Sequence, residues 1–293
     1  MVKASSKLYA VIGDPIAHSL SPLMQNWMIG QFGLNAVYVA FHIRKPQLEA
    51  CLQAVRTLEI GGLNVTVPHK EAVLPFVDTK SVDVELLQAA NTIKNCNGQL
   101  QAHVTDPFGF TESLGDNRDR CNGASVVLFG AGGAARSVCY ALSRLKIARL
   151  VIGDVVADKA RELQSLAINR LNMPDVSLFS PADPNFSDLI SDAGIIINTT
   201  AVGMHPDTDR AVMSDFSCIS KHHFVYDVIY NPQTTRLLQQ AKKHGATVQN
   251  GLDMLIYQGL ESLRIFSGEH LTLSPAQLSE LHKIMNRELG IYE

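Results

Sequence analysis

A cluster of small residues near the middle of the chain has the spacing of a phosphate-binding turn. Residues 130–135 are GAGGAA, directly after an apolar run and before a segment with helical periodicity. In a G-x-G-x-x-A pattern, Gly130 allows a tight turn, Gly132 lets the backbone approach a pyrophosphate, and Ala135 lets helix and strand pack closely. The helix N-terminus attracts phosphate through its N–H groups and dipole. The pattern predicts a dinucleotide site formed by Gly130, Ala131, Gly132, Gly133 and Ala134.

An acidic residue stands where such a site contacts a ribose. Asp154 follows the strand-like run 149–153 and lies 24 residues after Gly130 (154 − 130). A carboxylate here accepts hydrogen bonds from the ribose hydroxyls of NAD and repels the 2′-phosphate of NADP. The next two residues are valines, and the basic side chains of Lys159 and Arg161 lie further along. The pattern favours NAD as the cofactor, with NADP as the alternative.

Strand-like and helix-like segments alternate through this part of the chain. The apolar runs lie at 125–129, 149–153, 194–198 and 224–228. Such alternation predicts a parallel, doubly wound sheet whose strands are buried on both faces, as in a Rossmann domain. Residues 116–123 are polar and rich in turn formers, so we expect a loop there.

The first third of the chain also alternates. Strands are predicted at 8–13, 36–41 and 62–67, and a hairpin is predicted over 91–103 around Asn97-Gly98. Helices are expected from Ser21-Pro22 and over 45–58, and the tail from residue 252 predicts two helices divided by Gly268.

These patterns predict an α/β protein of two domains, the number that 293 residues suggest at roughly 100–200 residues per domain. The smaller α/β domain, residues 1–106 plus 253–293, would bind substrate and carry the catalytic residues. Residues 107–252 would form the Rossmann dinucleotide-binding domain, a doubly wound sheet with helices on both faces.

The composition argues against several classes of protein. The formal net charge is −3 and no long basic run occurs, which disfavours nucleic acid as a partner. No apolar run reaches the ~18 residues of a membrane helix, and the first residues lack the apolar stretch of a signal peptide. Five scattered cysteines without a C-x-x-C pair predict reduced thiols and no metal site. We expect a cytoplasmic protein that binds neither nucleic acid nor membrane.

Several further segments match the motifs of one family in order and spacing. They are HSLSP at 18–22, NVTVPHK at 64–70, ANT at 90–92, TDPFGF at 105–110, DVIYNP at 227–232 and NGLDMLIYQ at 250–258. Together with GAGGAA, they resemble the shikimate dehydrogenase family over nearly the whole chain. The resemblance implies an NAD(P)-dependent oxidoreductase of aromatic amino acid biosynthesis, a monomer or homodimer that interconverts shikimate and 3-dehydroshikimate. Its partner would be a small hydroxylated cyclohexene or cyclohexane carboxylate.

The resemblance also assigns roles to residues. Lys70 and Asp106 would be the catalytic pair, and the exchange of an alcohol for a ketone does need a group that moves the hydroxyl proton. Without its motif, Lys70 would be interpreted as a surface lysine at a helix start. The remaining assignments are substrate binding by Ser19, Ser21, Thr66, Asn91, Tyr230 and Gln258, and contact with the nicotinamide by Val228 and Gly251.

Ser19 and Ser21 match a clamp for the substrate carboxylate. A helix N-cap is the alternative role, because Ser21 precedes Pro22 and serine is a preferred capping residue. Either serine could both cap the helix and bind the carboxylate.

The sequence departs from the family pattern in two places. The cofactor strand usually ends in Asn-Arg followed by Ser or Thr, whereas here it ends in Gly153-Asp154-Val155, which favours NAD. The G-x-N-T-D segment is Ala102-His103-Val104-Thr105-Asp106, which alters the local backbone path while keeping the aspartate. His103 is interpreted as a strand residue with a free ring rather than as a second proton carrier.

Three functions are compatible with these residues. The first is a shikimate dehydrogenase that prefers NAD, and the second is an NAD-dependent quinate dehydrogenase or a dual quinate/shikimate enzyme. Some relatives of the second kind carry Thr for the second serine of S-x-S, so Ser21 favours shikimate. The third is a Rossmann protein that senses NAD without turnover, which would have no need for Lys70 and Asp106. NAD use would suit oxidation of the substrate.

Overall fold

The computed structural model describes residues 2–180 and 186–290, which divide into two compact units. Unit 1 comprises Met1–Thr105 and Ile256–Glu293, and unit 2 comprises Asp106–Leu255. The sequence patterns put the corresponding domain boundaries after residues 106 and 252.

Strands and helices alternate along most of the described chain. The strands are β1 (Lys7–Gly13), β2 (Ala36–His42), β3 (Gly62–Val65), β4 (Thr79–Lys80), β5 (Thr92–Cys96), β6 (Gln99–His103), β7 (Ser125–Phe129), β8 (Arg149–Gly153), β9 (Val176–Phe179), β10 (Ile195–Asn198), β11 (Phe224–Asp227) and β12 (Thr247–Gln249). The helices are α1 (Ser21–Gln31), α2 (Leu48–Thr57), α3 (Val82–Leu87), α4 (Asp106–Ser113), α5 (Gly133–Arg144), α6 (Ala157–Asn169), α7 (Phe186–Ser191), α8 (Arg236–Lys243), α9 (Leu252–Ser267) and α10 (Pro275–Glu288). Short 3-10 helices lie at Lys45–Gln47, Leu74–Phe76 and Gly115–Cys121.

Unit 1 contains a mixed six-stranded sheet in the order β2-β1-β3-β5-β6-β4. Strand β1 is parallel to both neighbours, whereas the β3-β5 and β5-β6 pairs are antiparallel. The predicted strands and the hairpin are confirmed. Strand β3 ends two residues earlier than predicted, at Val65, because a turn closed by His69 N–H on Thr66 O begins there. The register pairs Asn64 with Thr92 and Thr92 with His103, which brings three motif segments side by side.

Of the two helix starts predicted in unit 1, the one at Ser21 is confirmed and the one at residue 45 differs. The segment predicted as one helix over 45–58 is a 3-10 turn followed by α2. Helix α1 begins at Ser21, as predicted, with Leu20 as its N-cap and without a side-chain capping hydrogen bond. The capping role considered for Ser21 is therefore wrong, and Ser19 Oγ instead accepts a hydrogen bond from Ser21 N–H at 3.2 Å.

Unit 2 contains a six-stranded sheet in the order β12-β11-β10-β7-β8-β9, in which every neighbouring pair is parallel. Helices connect most of its strands, so the predicted doubly wound fold is confirmed. Strand β7 lies inside the sheet, and its residues Val126, Val127 and Leu128 are fully buried, as its unbroken apolar run requires. The loop expected at 116–123 is wrong, because Gly115–Cys121 forms a 3-10 helix that buries Cys121 against the core.

The C-terminal part forms α9 and α10 on either side of Gly268, as predicted. Helix α10 begins with a capping box, in which Ser274 Oγ accepts from Gln277 N–H at 3.3 Å and Ser274 N–H donates to Gln277 Oε1 at 3.0 Å. Within residues 2–180 and 186–290, none of the helices combines the length and hydropathy that a membrane crossing requires.

Candidate active site and nucleotide site

The glycine-rich turn connects β7 to α5. Gly130 has a φ of +101°, and a Cβ there would lie 2.7 Å from Thr199 Oγ1, so both backbone conformation and space require glycine. Helix α5 begins at Gly133 with Gly132 as its N-cap, and no side chain caps it. A Cβ on Gly132 would meet nothing within 4 Å. The uncovered backbone at this helix N-terminus fits the pyrophosphate of a dinucleotide.

Asp154 follows β8 and contacts this turn directly. Its Oδ2 accepts a hydrogen bond from Ala131 N–H at 2.7 Å, and its Oδ1 accepts one from Val156 N–H at 2.8 Å. Two backbone bonds therefore hold the half-buried carboxylate beside the turn. A carboxylate has about four acceptor positions, so each oxygen can still accept from a ribose hydroxyl.

The first basic side chains that follow Asp154 in the chain lie on α6. Arg161 donates to Asp158 at 2.5 Å on the exposed surface, and Lys159 is also exposed. Val155 occupies the position directly after Asp154 and is 94% exposed. The side chain next to the carboxylate is thus apolar, and Arg161 already has a carboxylate partner.

A buried polar cluster lies at the ends of β10 and β11, and we call Asn198, Asp227 and Thr235 the Asp227 cluster. Asn198 Nδ2 donates to Asp227 Oδ1 at 3.0 Å, and Thr235 Oγ1 donates to Asp227 Oδ2 at 2.7 Å. Ile229 N–H also donates to Oδ1, at 3.1 Å. Burial raises the pKa of Asp227 to about 6, although these three hydrogen bonds oppose the rise.

The Asp227 cluster holds the loop that carries Val228. Val228 N–H donates to Asn198 O at 3.0 Å, and Gly251 N–H donates to Ile229 O at 3.1 Å. A Cβ on Gly251 would overlap the carbonyl group of Val228. The structure thus brings Val228 and Gly251 together, and close backbone packing alone requires glycine at 251.

Unit 1 has its own buried polar cluster. We call Asn64, Asn91, Thr92, Thr105 and Ser262 the Asn91 cluster, and each member is at most 8% exposed. Asn91 Oδ1 accepts from Thr105 N–H at 2.8 Å, and Asn91 Nδ2 donates to Thr105 Oγ1 at 3.0 Å. Ser262 Oγ lies 2.8 Å from Thr92 Oγ1 and 3.1 Å from Thr105 Oγ1, and it accepts from Asn64 Nδ2 at 2.8 Å. Neutral amides and hydroxyls thus connect β3, β5, α9 and the end of β6.

The two residues predicted as catalytic flank this cluster in the chain. Lys70 is half-buried and lies in a turn rather than at a helix start, so that alternative interpretation of it is wrong. Its carbonyl oxygen accepts from Ala90 N–H at 2.8 Å, one residue before Asn91. Asp106 is 7% exposed and is the first residue of α4, directly after Thr105. Asn91 therefore anchors the backbone next to Asp106, and its neighbour Ala90 binds the backbone of Lys70.

The predicted substrate-binding residues are divided between the units. Gln258 Oε1 accepts from Asn91 Nδ2 at 3.4 Å, which places Gln258 at the Asn91 cluster. Thr66 follows β3, and its methyl group lies where a Cβ on Gly13 would be. Ser19 and Ser21 lie together at the start of α1 in unit 1. Tyr230 belongs to unit 2, where burial raises the pKa of its hydroxyl.

His103 lies in β6, opposite Thr92, and its Nε2 is buried without a hydrogen-bond partner. Burial, together with the charge of Lys94, lowers the pKa of the imidazole, so the ring is neutral near pH 7. This agrees with the interpretation of a strand residue with a free ring. Among the described residues, no group of three or more His, Cys, Asp or Glu side chains is arranged to hold a metal ion.

Sequence reasoning assigned a site role to one cluster member, Asn91, and missed the others, which are Asn64, Thr92, Thr105, Ser262, Asn198, Asp227 and Thr235. Asn64 stood inside a quoted motif and could have been found as a polar residue in an otherwise buried strand. Ser262 lies four residues after Gln258, one helical turn along α9, and this spacing was the available signal. No sequence pattern indicates that Thr235 would form a hydrogen bond with Asp227.

The parallel sheet, the glycine-rich turn and the acid after β8 are those of a dinucleotide-binding protein of the Rossmann class. A model of the shikimate dehydrogenase substrate binding domain matches residues 11–93. The curated shikimate dehydrogenase (NADP(+)) of Caldanaerobacter subterraneus is 35% identical over 268 residues, which cover 92% of this chain and 94% of the relative. The chain belongs to the shikimate dehydrogenase family, whose members are oxidoreductases acting on a CH–OH group.

Two solved structures share this fold over nearly the full length. The shikimate 5-dehydrogenase of Listeria monocytogenes, in complex with shikimate and NAD, has a TM-score of 0.88 and 28% identity and covers 97% of this chain and 98% of its own. The quinate dehydrogenase of Corynebacterium glutamicum, in complex with NAD, has a TM-score of 0.86 and 29% identity and covers 96% of this chain and 99% of its own. Both match the two units described above.

Proposed function

We propose that this chain oxidises shikimate to 3-dehydroshikimate and catalyses the reverse reduction, with NAD preferred over NADP. Unit 2 would bind the cofactor, and unit 1 would carry most of the substrate-binding side chains. The observation that supports the substrate half is the Asn91 cluster, because Asn91 binds both Gln258 and the backbone next to Asp106, and the adjacent Ala90 N–H binds the carbonyl oxygen of Lys70. A ring with several hydroxyls requires fixed amide and hydroxyl partners of this kind.

The proposed reaction consists of a proton transfer and a hydride transfer. A bound cofactor would supply the acceptor for the hydride that leaves the carbon that becomes the ketone. The amine of Lys70 receives the proton of the hydroxyl on that carbon and returns it in the reverse direction. The carboxylate of Asp106 would orient the amine and balance its charge, as a carboxylate partner does for a general acid or base.

The remaining polar side chains would orient the substrate. Ser19 and Ser21 would bind the carboxylate, with Tyr230 contributing from unit 2, and Thr66 would bind a ring hydroxyl. Ser19 Oγ already accepts a hydrogen bond from Ser21 N–H, which holds the two serines close together at the start of α1. The Oγ hydrogen of each serine is then available to donate to an anion.

The preference for NAD rests on Asp154. Its two oxygens are held by Ala131 and Val156 at the rim of the glycine-rich turn, and the neighbouring side chain is the exposed Val155. Ribose hydroxyls can donate to such a carboxylate, whereas a 2′-phosphate would meet a like charge without an adjacent guanidinium.

The test is turnover with shikimate or quinate and with NAD or NADP, in four combinations, followed at the absorbance band of the reduced cofactor. We expect the highest kcat/KM for shikimate with NAD. A higher value for quinate would establish the alternative function, for which Asp154 and the NAD-bound quinate dehydrogenase structure are the supporting observations. Cofactor binding without turnover of either substrate would leave only an NAD-sensing role.

A further inference from the structure

The carboxylate of Asp227 is fully buried and takes no part in the proton transfer proposed above. In each hydrogen bond described above, the carboxylate is the acceptor. The donors are Asn198 Nδ2, Thr235 Oγ1 and Ile229 N–H. These donors reach both of its oxygens. An amide of the same shape would turn a donor toward Thr235 Oγ1, which already donates there. The three donors therefore fit an ionised carboxylate, which accepts at both oxygens.

This buried charge lies next to the part of unit 2 assigned to the nicotinamide. Asp227 directly precedes Val228, and its partner Asn198 accepts from Val228 N–H at 3.0 Å. Gly251 packs against the carbonyl group of Val228. On the other side, Thr199 follows Asn198 and lies against Gly130 of the glycine-rich turn. The carboxylate thus sits between the two backbone segments that a dinucleotide would contact.

A buried charge acts differently on the two redox forms of the cofactor. The oxidised nicotinamide ring carries a positive charge, and the reduced ring is neutral, whereas the ribose and pyrophosphate groups are the same in both. A fixed negative charge near the ring therefore favours the oxidised form. For unit charges about 10 Å apart at an effective dielectric of about 20, the Coulomb attraction corresponds to a preference on the order of tenfold.

We propose that Asp227 is a positioning residue that also sets the redox preference of the cofactor site, its buried charge favouring NAD⁺ over NADH. The proposal rests on the proposed function, since it requires a nicotinamide at Val228 and Gly251. If Asp227 only held two loops together, its hydrogen bonds would be sufficient for that role. The ratio of NAD⁺ to NADH affinity distinguishes a structural role from a charge effect, because the charge acts on the oxidised ring alone.

The experiment measures dissociation constants of NAD⁺, NADH and ADP-ribose by titration calorimetry for the parent and for Asp227→Asn. Asp227→Asn should weaken NAD⁺ by about tenfold relative to NADH. ADP-ribose, which lacks the nicotinamide, should bind both proteins equally and so reports an intact glycine-rich turn. An equal change for NAD⁺ and NADH, or no change in either, would overturn the proposal. A parent that binds none of the three would instead refute the proposed function.

A second pair of variants covers the case in which Asp227→Asn fails to fold. Thr235→Val keeps the shape of the side chain but removes the hydroxyl that donates to Asp227 Oδ2. With one donor fewer, a larger fraction of the carboxyl is protonated, so the ratio of NAD⁺ to NADH affinity should fall by a smaller factor than in Asp227→Asn. Thr235→Ser keeps the hydroxyl and should keep the parent ratio. An unchanged ratio in Thr235→Val contradicts the inference.

Discussion

The two buried polar clusters solve the same positioning problem with different chemistry. The Asn91 cluster of unit 1 contains amides and hydroxyls, whereas the Asp227 cluster of unit 2 is centred on a carboxylate. Neutral groups can exchange donor and acceptor roles, so the loss of one bond is partly compensated. A buried carboxylate can only accept, and its ionisation costs stability. The comparison indicates that geometry is the requirement in unit 1 and that charge is an additional requirement in unit 2.

The largest expected effect is on turnover, and it distinguishes the proton transfer proposed for Lys70 from the cofactor binding proposed for unit 2. Lys70→Ala removes the proposed proton carrier, and the loss of a general acid or base typically lowers kcat by about 10²–10⁴-fold. The dissociation constant of NAD⁺ should stay at the parent value. Steady-state kinetics with shikimate and calorimetric titration with NAD⁺ measure the two quantities.

The matched control for that variant is Lys80→Ala, which removes an exposed lysine of unit 1 from β4. It should keep parent turnover. Turnover of Lys70→Ala equal to that of Lys80→Ala would remove Lys70 from the mechanism.

The second-largest expected effect is the pH dependence of stability that Asp227 causes. The folded pKa of Asp227, about 6, lies above its ordinary value of 3.8, so between these values the unfolded chain has lost its proton while the folded chain keeps it. Stability therefore falls as the pH rises through this window and levels off above about 6. The difference between the two pKa values corresponds to roughly 3 kcal/mol.

Asp227→Asn should lack this contribution. The free energy of unfolding of the variant minus that of the parent, from urea titrations, should increase by up to roughly 3 kcal/mol between pH 4 and pH 7. Other titrating groups cancel in this difference. A difference that is independent of pH would show that burial does not raise the pKa of Asp227 above its value in the unfolded chain.

The smallest effect tests the compensation in the neutral cluster. Ser262→Ala removes an oxygen shared by Asn64, Thr92 and Thr105, but each of these keeps a hydrogen bond to another member. We expect a loss of about 1 kcal/mol in the free energy of unfolding. We also expect a few-fold lower kcat with shikimate, because Thr105 directly precedes Asp106.

Ser113→Ala is the matched control for Ser262→Ala. Ser113 is also a buried serine, whose Oγ donates to Phe110 O at 2.7 Å and lies 2.8 Å from Tyr226 Oη in unit 2. Its replacement should lower stability by a similar amount and leave kcat unchanged. Equal losses of kcat in the two variants would show a general effect of buried serines.

Local patterns were sufficient for the elements that carry their signal within a few residues. The run of β7 and the glycines after it predicted the turn between β7 and α5, whereas the hydrogen bond from Ala131 N–H to Asp154 was not predicted. The helical angles of Leu20 and the 3-10 helix Gly115–Cys121 were not predictable, because tertiary packing decided them against a weak polar pattern.

The two clusters depend on contacts that no local pattern encodes. Thr92 and Ser262 are 170 residues apart in the chain, and Asn91 and Gln258 are 167 apart. The motifs named some members of each cluster, but only the register of β3, β5 and β6 and the packing of α9 connect them. The role of Asp227 needed its burial as well as its partners.

The most direct test of the account is the cofactor preference of the parent and of the double variant Asp154→Asn with Val155→Arg. A hydrogen bond to a charged group contributes roughly 1.5–3 kcal/mol, so the parent should favour NAD over NADP by about tenfold or more in kcat/KM with shikimate. In the double variant, a guanidinium at position 155 can bind a 2′-phosphate with two parallel hydrogen bonds, and the preference should move to NADP. A parent that already prefers NADP would contradict the account, because the carboxylate held by Ala131 and Val156 would then not select the cofactor.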